Sequence, residues 1–221
     1  MLSVIAIIGL GPRLNNVRFS AAVHDLESSI ASNLADVSRG ANMRGGIKSC
    51  QLSGNTIVVD RSDSSSPAGS SSNCVVNGVV AVFDYNNNRI LYRSVVSLRE
   101  PVTSCTDTGF RKVLVCNKAT LLDESQSPSN KIYNYINGIR QTNPTSNTGF
   151  GYVQDPNGST VYPFRATPLL FFSGGMASTL TTSAASDTKS EFCYTLGSRQ
   201  AKLAFNNTSL KPEVKYGEPC S

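Results

Sequence analysis

One apolar stripe constrains this 221-residue chain more than any other feature. Phe19, Val23, Leu26, Ile30, Leu34 and Val37 recur at spacings of 4, 3, 4, 4 and 3. That period belongs to one face of an α-helix. The other faces carry Ser20, Asp25, Glu27, Ser28, Asn33 and Asp36. The helix is expected to stop within residues 39–46, where Gly40, Gly45 and Gly46 tolerate positive φ. Ahead of the stripe the chain is almost wholly apolar: Leu2, Val4, Ile5, Ile7, Ile8 and Leu10 stand in its first ten residues. Pro12 lacks a backbone donor, so a kink is expected between the two parts.

As a helix, residues 2–10 would span about 14 Å. A bilayer core is roughly 30 Å thick, so this run alone is too short to cross one. It has no positive flank before it and no small-x-small cleavage site after it. Three readings remain open: a buried strand, the remnant of a signal peptide, or the head of a longer apolar helix. A dinucleotide-binding turn is a poor fit. Gly9 and Gly11 begin a G-x-G-x-x-G pattern, but Leu14 stands where a small residue is needed for close helix–strand packing.

After Gly46 the pattern changes to short runs of β-formers. Residues 47–52 and 56–60 flank a Ser-Gly-Asn turn signal. Residues 61–73 are Ser-rich and read as a loop or linker. Residues 74–84 and 89–98 read as a β-hairpin around Tyr85-Asn-Asn-Asn88, since Asn tolerates left-handed backbone. Residues 112–116, 160–172, 192–196 and 199–205 read as further strands. Residues 131–141 fit either a strand or a helical turn, and 141–159 read as an Asn/Thr/Gly/Pro-rich loop. The expected class is α+β: a long N-terminal helix packed on a mostly antiparallel β-sheet. The organisation expected is an N-terminal helix over 1–46 and a β-rich globular domain over 47–221. Within the helix, 1–12 is the apolar part and 13–40 the amphipathic part.

The run Val4-Ile-Ala-Ile-Ile-Gly9, with the stripe behind it, resembles the N-terminal helix of type IV pilins and type II secretion pseudopilins. Members carry a basic leader and Gly-Phe-Thr-Leu-Ile-Glu ahead of such a run. Met1 stands where the residue after that Glu would be, so a later start or a trimmed chain is expected. The nearest subgroup in resemblance is the minor, GspH/FimT-like pseudopilins. The resemblance implies a pilin-like fold and a filament subunit whose partners are other pilin or pseudopilin subunits. It implies that Leu2, Val4, Ile5, Ile7, Ile8 and Leu10 sit in the inner membrane before assembly and in the filament core afterwards. The implied location is the bacterial cytoplasmic membrane, by a single-pass helix with the globular part outside. From there the subunit would join an extracellular pilus or a periplasmic pseudopilus. The second part of the helix, Phe19 to Val37, would pack on the sheet.

Six Cys, at 50, 74, 105, 116, 193 and 220, fit an oxidising compartment. Sequence alone leaves many connectivities open. Nearest neighbours would join Cys50 to Cys74, Cys105 to Cys116 and Cys193 to Cys220, and the resemblance implies a closed C-terminal loop of the last kind. There is no C-x-x-C, and the single His cannot complete a usual Cys/His zinc set, so no metal is expected. His24 reads as helix surface rather than a catalytic base. Asp84-x-Asn86-x-Asn88 imitates a calcium loop, but Arg89 and Val95 stand where that loop needs Gly and Glu. No nucleophile, P-loop or zincin motif occurs, and no catalytic residue or cofactor is expected. The +5 net charge is mild. Gly197-Ser-Arg199-Gln-Ala-Lys202 loosely resembles the basic hairpin of FimT-like members, which makes Arg199 and Lys202 candidate DNA contacts. The reading is a structural filament subunit. The alternatives are a DNA-binding minor pilin and a secreted, disulfide-bonded adhesin or binding module.

Overall fold

The computed structural model describes residues 2–38, 49–54, 56–60, 73–122, 131–145, 148–166, 178–179, 190–205 and 212–220. Along the first helix, side chains are described for 13–33 and 35. The helix is α1 (Leu2–Ser38). It is followed by β1 (Ser49–Ser53), β2 (Thr56–Asp60), β3 (Cys74–Asp84) and β4 (Arg89–Leu98). A short helical segment, Gly109–Arg111, continues as a wider turn over Lys112–Cys116. Then come β5 (Thr120–Leu121), β6 (Lys131–Asn134), β7 (Arg140–Asn143), β8 (Thr148–Gln154), β9 (Val161–Ala166), β10 (Ser178–Thr179), β11 (Ser190–Leu196), β12 (Arg199–Phe205) and β13 (Glu213–Tyr216).

The strands form three sheets, and every pairing is antiparallel. A seven-stranded sheet runs β10-β5-β4-β3-β8-β9, with β6 also on β4. A four-stranded sheet runs β13-β12-β11-β7, and β1 and β2 form a separate hairpin. The centre is β3, whose sequence CVVNGVVAVFD is nearly continuous in apolar residues. A strand buried on both faces reads this way. Val79, Ala81 and Phe83 point to one side, and Val80 and Val82 to the other, all within 1% of complete burial.

Each face has its own cover. On the first, Phe83 stacks on Phe192 of β11 at 3.7 Å, and Phe150 of β8 meets Phe205 of β12 at 4.5 Å. These rings lock the four-stranded sheet against the central one. Beside them, Phe19, Ala22, Val23, Leu26 and Ile30 of α1 complete the same core. On the second face, Val113 and Leu114 of the short helical segment pack with Val80, Val82 and Phe164. A third cluster, with Ile57, Val59, Val96 and Leu122, seats the β1–β2 hairpin.

Four expectations are corrected. The chain is not a long helix laid on one sheet. It is mostly antiparallel β-sheet in three pieces, and among the described side chains of α1 the buried ones lie between Phe19 and Asn33. The reason is that β11 and β12 do much of the covering assigned to the helix, and the cluster on the other face of the central sheet holds no α1 residue among the described ones. Nor does the chain show the expected single-pass anchor: among the described residues no helix is long and apolar enough to cross a membrane. The apolar run ends at Leu10, and Arg13, Asn15, Asn16 and Arg18 follow within two turns. Lys112–Cys116 is a helical turn rather than a strand: the Lys112 N–H bonds the Thr108 carbonyl, and the Asn117 N–H bonds the Lys112 carbonyl. Its β-branched valines favour a strand, but burial of Val113, Leu114 and Cys116 under the sheet prevails.

The segment read as a loop over 141–159 contains β8, a fully internal strand. Its Gly residues suggested a loop, yet Gly151 is required by close packing. A Cβ there would lie 2.5 Å from the Val79 carbonyl oxygen and 3.0 Å from the Val80 Cα. The expected helix stop, the boundary at 46, the linker at 61–72 and the strand end at 167–172 lie outside the described residues. Gly151→Ala should destabilise the protein by about 1–3 kcal/mol through overpacking. A chemical-denaturation midpoint unchanged from the parent protein would contradict the tight β3–β8 approach.

Candidate functional site

The helix α1 has two faces with different environments. Phe19, Val23, Leu26 and Ile30 of the sequence stripe are buried, joined by Ala22 and Asn33. Leu34 and Val37, and the side chains of Leu2, Val4, Ile5, Ile7, Ile8 and Leu10, lie outside the described set. Two polar ties hold the buried stretch on the sheet, and a third bond lies within the helix. The Tyr133 hydroxyl donates to Asp25 Oδ2 at 2.6 Å, Ser29 Oγ and the Tyr92 hydroxyl are 3.2 Å apart, and Asn33 Nδ2 donates to the Ser29 carbonyl at 2.7 Å. Behind them the Tyr135 hydroxyl donates to Gln141 Oε1 at 3.1 Å and lies 3.4 Å from that of Tyr194.

About half a turn round the helix the picture reverses. Leu14 is 52% exposed and Val17 is 67% exposed, and Ala21 continues their line. Leu10 precedes it at helical spacing in the sequence. The body thus grips one face from Phe19 onward and leaves an apolar face uncovered on the turns before it.

A cleft of about 410 Å3 opens where α1 meets the four-stranded sheet. Asn16, Phe19 and Ser20 line it from the helix. Ser198, Arg199 and Gln200 line it from the β11–β12 turn, and Tyr216 and Gly217 from the end of β13. Gly197, at φ 59°, makes the tight turn that brings Arg199 to this rim. Phe19 and Tyr216 meet edge to face at 6.3 Å. Asn16 Oδ1 is buried and receives no hydrogen bond. Among the described residues no acidic group pairs with Arg199.

The structure separates the two candidate DNA contacts. Arg199 and Lys202 are three apart on β12, and side chains alternate along a strand. Arg199 therefore shares a face with Ala201 and Leu203, while Lys202 points to the other side. There Lys202 is only 12% exposed and pairs with Glu191 at 3.1 Å and Glu218 at 3.5 Å. Glu191 foremost, and Glu218 with it, hold its ammonium above the usual lysine range. Lys215 is likewise paired, with Glu213 and Glu218. The lysines of this sheet are met by carboxylates rather than left for phosphate.

His24 is a surface side chain, 62% exposed, and pairs with Glu27 at 3.2 Å. Asp84 is a turn residue rather than a calcium ligand. Its carboxylate accepts from Asn87 Nδ2 at 2.7 Å and from Arg89 Nε at 3.0 Å. Burial raises its pKa, but these hydrogen bonds outweigh that and hold the carboxyl below its ordinary value. The six sulfurs pair as Cys50–Cys74, Cys105–Cys116 and Cys193–Cys220, with Cα separations of 6.2, 5.4 and 5.8 Å. Cys105, Asp107 and Cys116 cluster with metal-ligand closeness, but the two sulfurs are bonded to each other and offer no thiolate.

No family model, no curated protein and no solved structure matches this chain.

Sequence reasoning missed the cleft because its two walls lie at opposite ends of the chain and carry no motif. It did hold the signal that separates Arg199 from Lys202, namely the two-residue period of a strand. The tyrosine ties give a pH prediction. Burial is the main cause raising Tyr92 to about 12 and Tyr133, Tyr135, Tyr152 and Tyr194 above their ordinary value of 10.0. Below pH 10 both folded and unfolded states keep these protons, so these groups make stability flat there. Above it the unfolded chain releases them first, and stability falls as pH rises toward 12. The Tyr92 rise alone corresponds to about 3 kcal/mol. Tyrosinate absorbance should therefore grow together with unfolding. All eight tyrosines titrating near pH 10 in the folded protein would contradict the buried cluster.

Proposed function

We propose that the chain is a structural subunit of a larger assembly, joined to its neighbours through the head of α1. This is the kind of role that the pilin and pseudopilin resemblance implies, and it needs no catalytic group. The observation that carries it is the uncovered apolar face at Leu14 and Val17, on the same helix that the body clamps from Phe19 onward. A helix clamped on one face and apolar on the opposite face is suited to packing against a second helix. Burying a Leu or Val side chain contributes about 1.5–3 kcal/mol, and the sequence is almost wholly apolar from Leu10 back to Leu2.

Two further features fit this reading. Three disulfides fit an oxidising compartment, and one of them, Cys193–Cys220, ties the tail after β13 to β11 of the four-stranded sheet. The hydrogen bonds of Asp25 with Tyr133 and of Ser29 with Tyr92 hold the helix on the sheet behind this face. A nucleic-acid role gains no support from the geometry, since Arg199 and Lys202 point apart.

Sedimentation velocity over a concentration series tests the proposal. The parent chain should self-associate as concentration rises. Leu14→Asp with Val17→Asp should stay monomeric while stability changes by less than about 0.5 kcal/mol, as expected for exposed positions. A parent chain that remains monomeric throughout, or a double variant that assembles equally well, counts against it.

A further inference from the structure

We propose that the cleft between α1 and the β11–β12 turn binds the C terminus of a peptide that ends in an apolar residue. Three features of the cleft call for three parts of that ligand. Arg199 stands at the rim with no acidic partner among the described residues. Its planar guanidinium offers parallel donors that match a carboxylate. Asn16 Oδ1 is buried without a donor, and buried acceptors are normally hydrogen-bonded. The last backbone N–H of a bound peptide supplies that donor. Phe19 and Tyr216 meet edge to face beside these groups, Phe19 almost fully buried and Tyr216 44% exposed. Together they present an apolar wall for the final side chain. A peptide C terminus carries its carboxylate, N–H and side chain on and beside one Cα.

Charge decides between a peptide and a free amino acid. None of the described residues lining the cleft is acidic. A free amino acid would bring an ammonium group to a cleft whose described lining holds a cation, Arg199, and no carboxylate. The amide N–H of a peptide is neutral and needs only the Asn16 oxygen. At about 410 Å3 the cleft is large enough for a terminal residue and part of the one before it. This site is separate from the assembly face, because Leu14 and Val17 do not line it. Peptide binding should survive in Leu14→Asp with Val17→Asp, and its loss elsewhere says nothing about assembly.

The experiment is a fluorescence-anisotropy titration of the full chain with an N-terminally labelled pentapeptide, Gly-Gly-Ser-Gly-Phe, ending in a free carboxylate. Saturable binding is expected. The same peptide with a C-terminal amide should bind at least about tenfold more weakly, the loss of one charge-assisted contact. Arg199→Ala should weaken the carboxylate peptide by a similar factor, and Arg199→Lys by less, since it keeps charge but not the fork. Asn16→Ala should weaken it severalfold, and Lys215→Ala, outside the cleft, should not. N-acetyl-phenylalanine should compete and free phenylalanine should not. Equal binding of the amidated peptide to the parent protein overturns the proposal without any variant. So do an unchanged Arg199→Ala, equal competition by free phenylalanine, or no saturable binding at about 1 mM peptide.

Discussion

Strand β3 has no solvent-facing side over most of its length, so both faces of the central sheet must be covered. The remaining architecture follows from how that requirement is met. The four-stranded sheet and the middle of α1 share one face, held by the Phe83–Phe192 stack and the Phe150–Phe205 contact. The short helical segment over Gly109–Cys116 takes the other, and Cys105–Cys116 fastens it to the loop before it. Because the strands lie so close, Gly78 and Gly151 stand where a side chain would strike a neighbouring backbone. The aromatic contacts are local, but they fix the relative placement of α1, β11 and β12, and so create the cleft between them.

The same constraint divides α1 into two regions. From Phe19 to Asn33 the helix is part of the core and is tied by Asp25 and Ser29 to tyrosines of the sheet. On the turns before Phe19, Leu14 and Val17 lie on the face turned away from the sheet and are left in water. An apolar face that the fold itself does not use is costly in isolation and favourable on association. The proposed docking face thus lies at the margin of the core rather than in its interior.

Features with a single strong period were legible. The helix stripe from Phe19 to Ile30 is buried as its spacing implies, and the hairpin over Cys74–Asp84 and Arg89–Leu98 has the bounds its Asn-rich turn suggests. The nearest-neighbour sulfur pairing is the one the structure has. What failed did so for physical reasons. β8 was hidden because its glycines, which usually mark loops, serve strand-to-strand approach. The turn over Lys112–Cys116 was hidden because tertiary burial overrode β-propensity. The relative weight of helix and sheet was misjudged because sequence periodicity does not reveal that a second sheet shares the helix's task. The cleft brings Asn16 and Arg199 into the lining of one space, and no local pattern encodes that.

Hydrogen exchange along α1, resolved by residue and followed as protein concentration rises, tests the central claim most directly. Slow exchange is expected over 19–33 at every concentration, set by the core and its tyrosine ties. Fast exchange is expected over 13–18 in dilute solution, replaced by protection as subunits associate. Protection of 13–18 already present in the dilute monomer, or none gained on association, would contradict the division of α1 into a clamped stretch and a docking head.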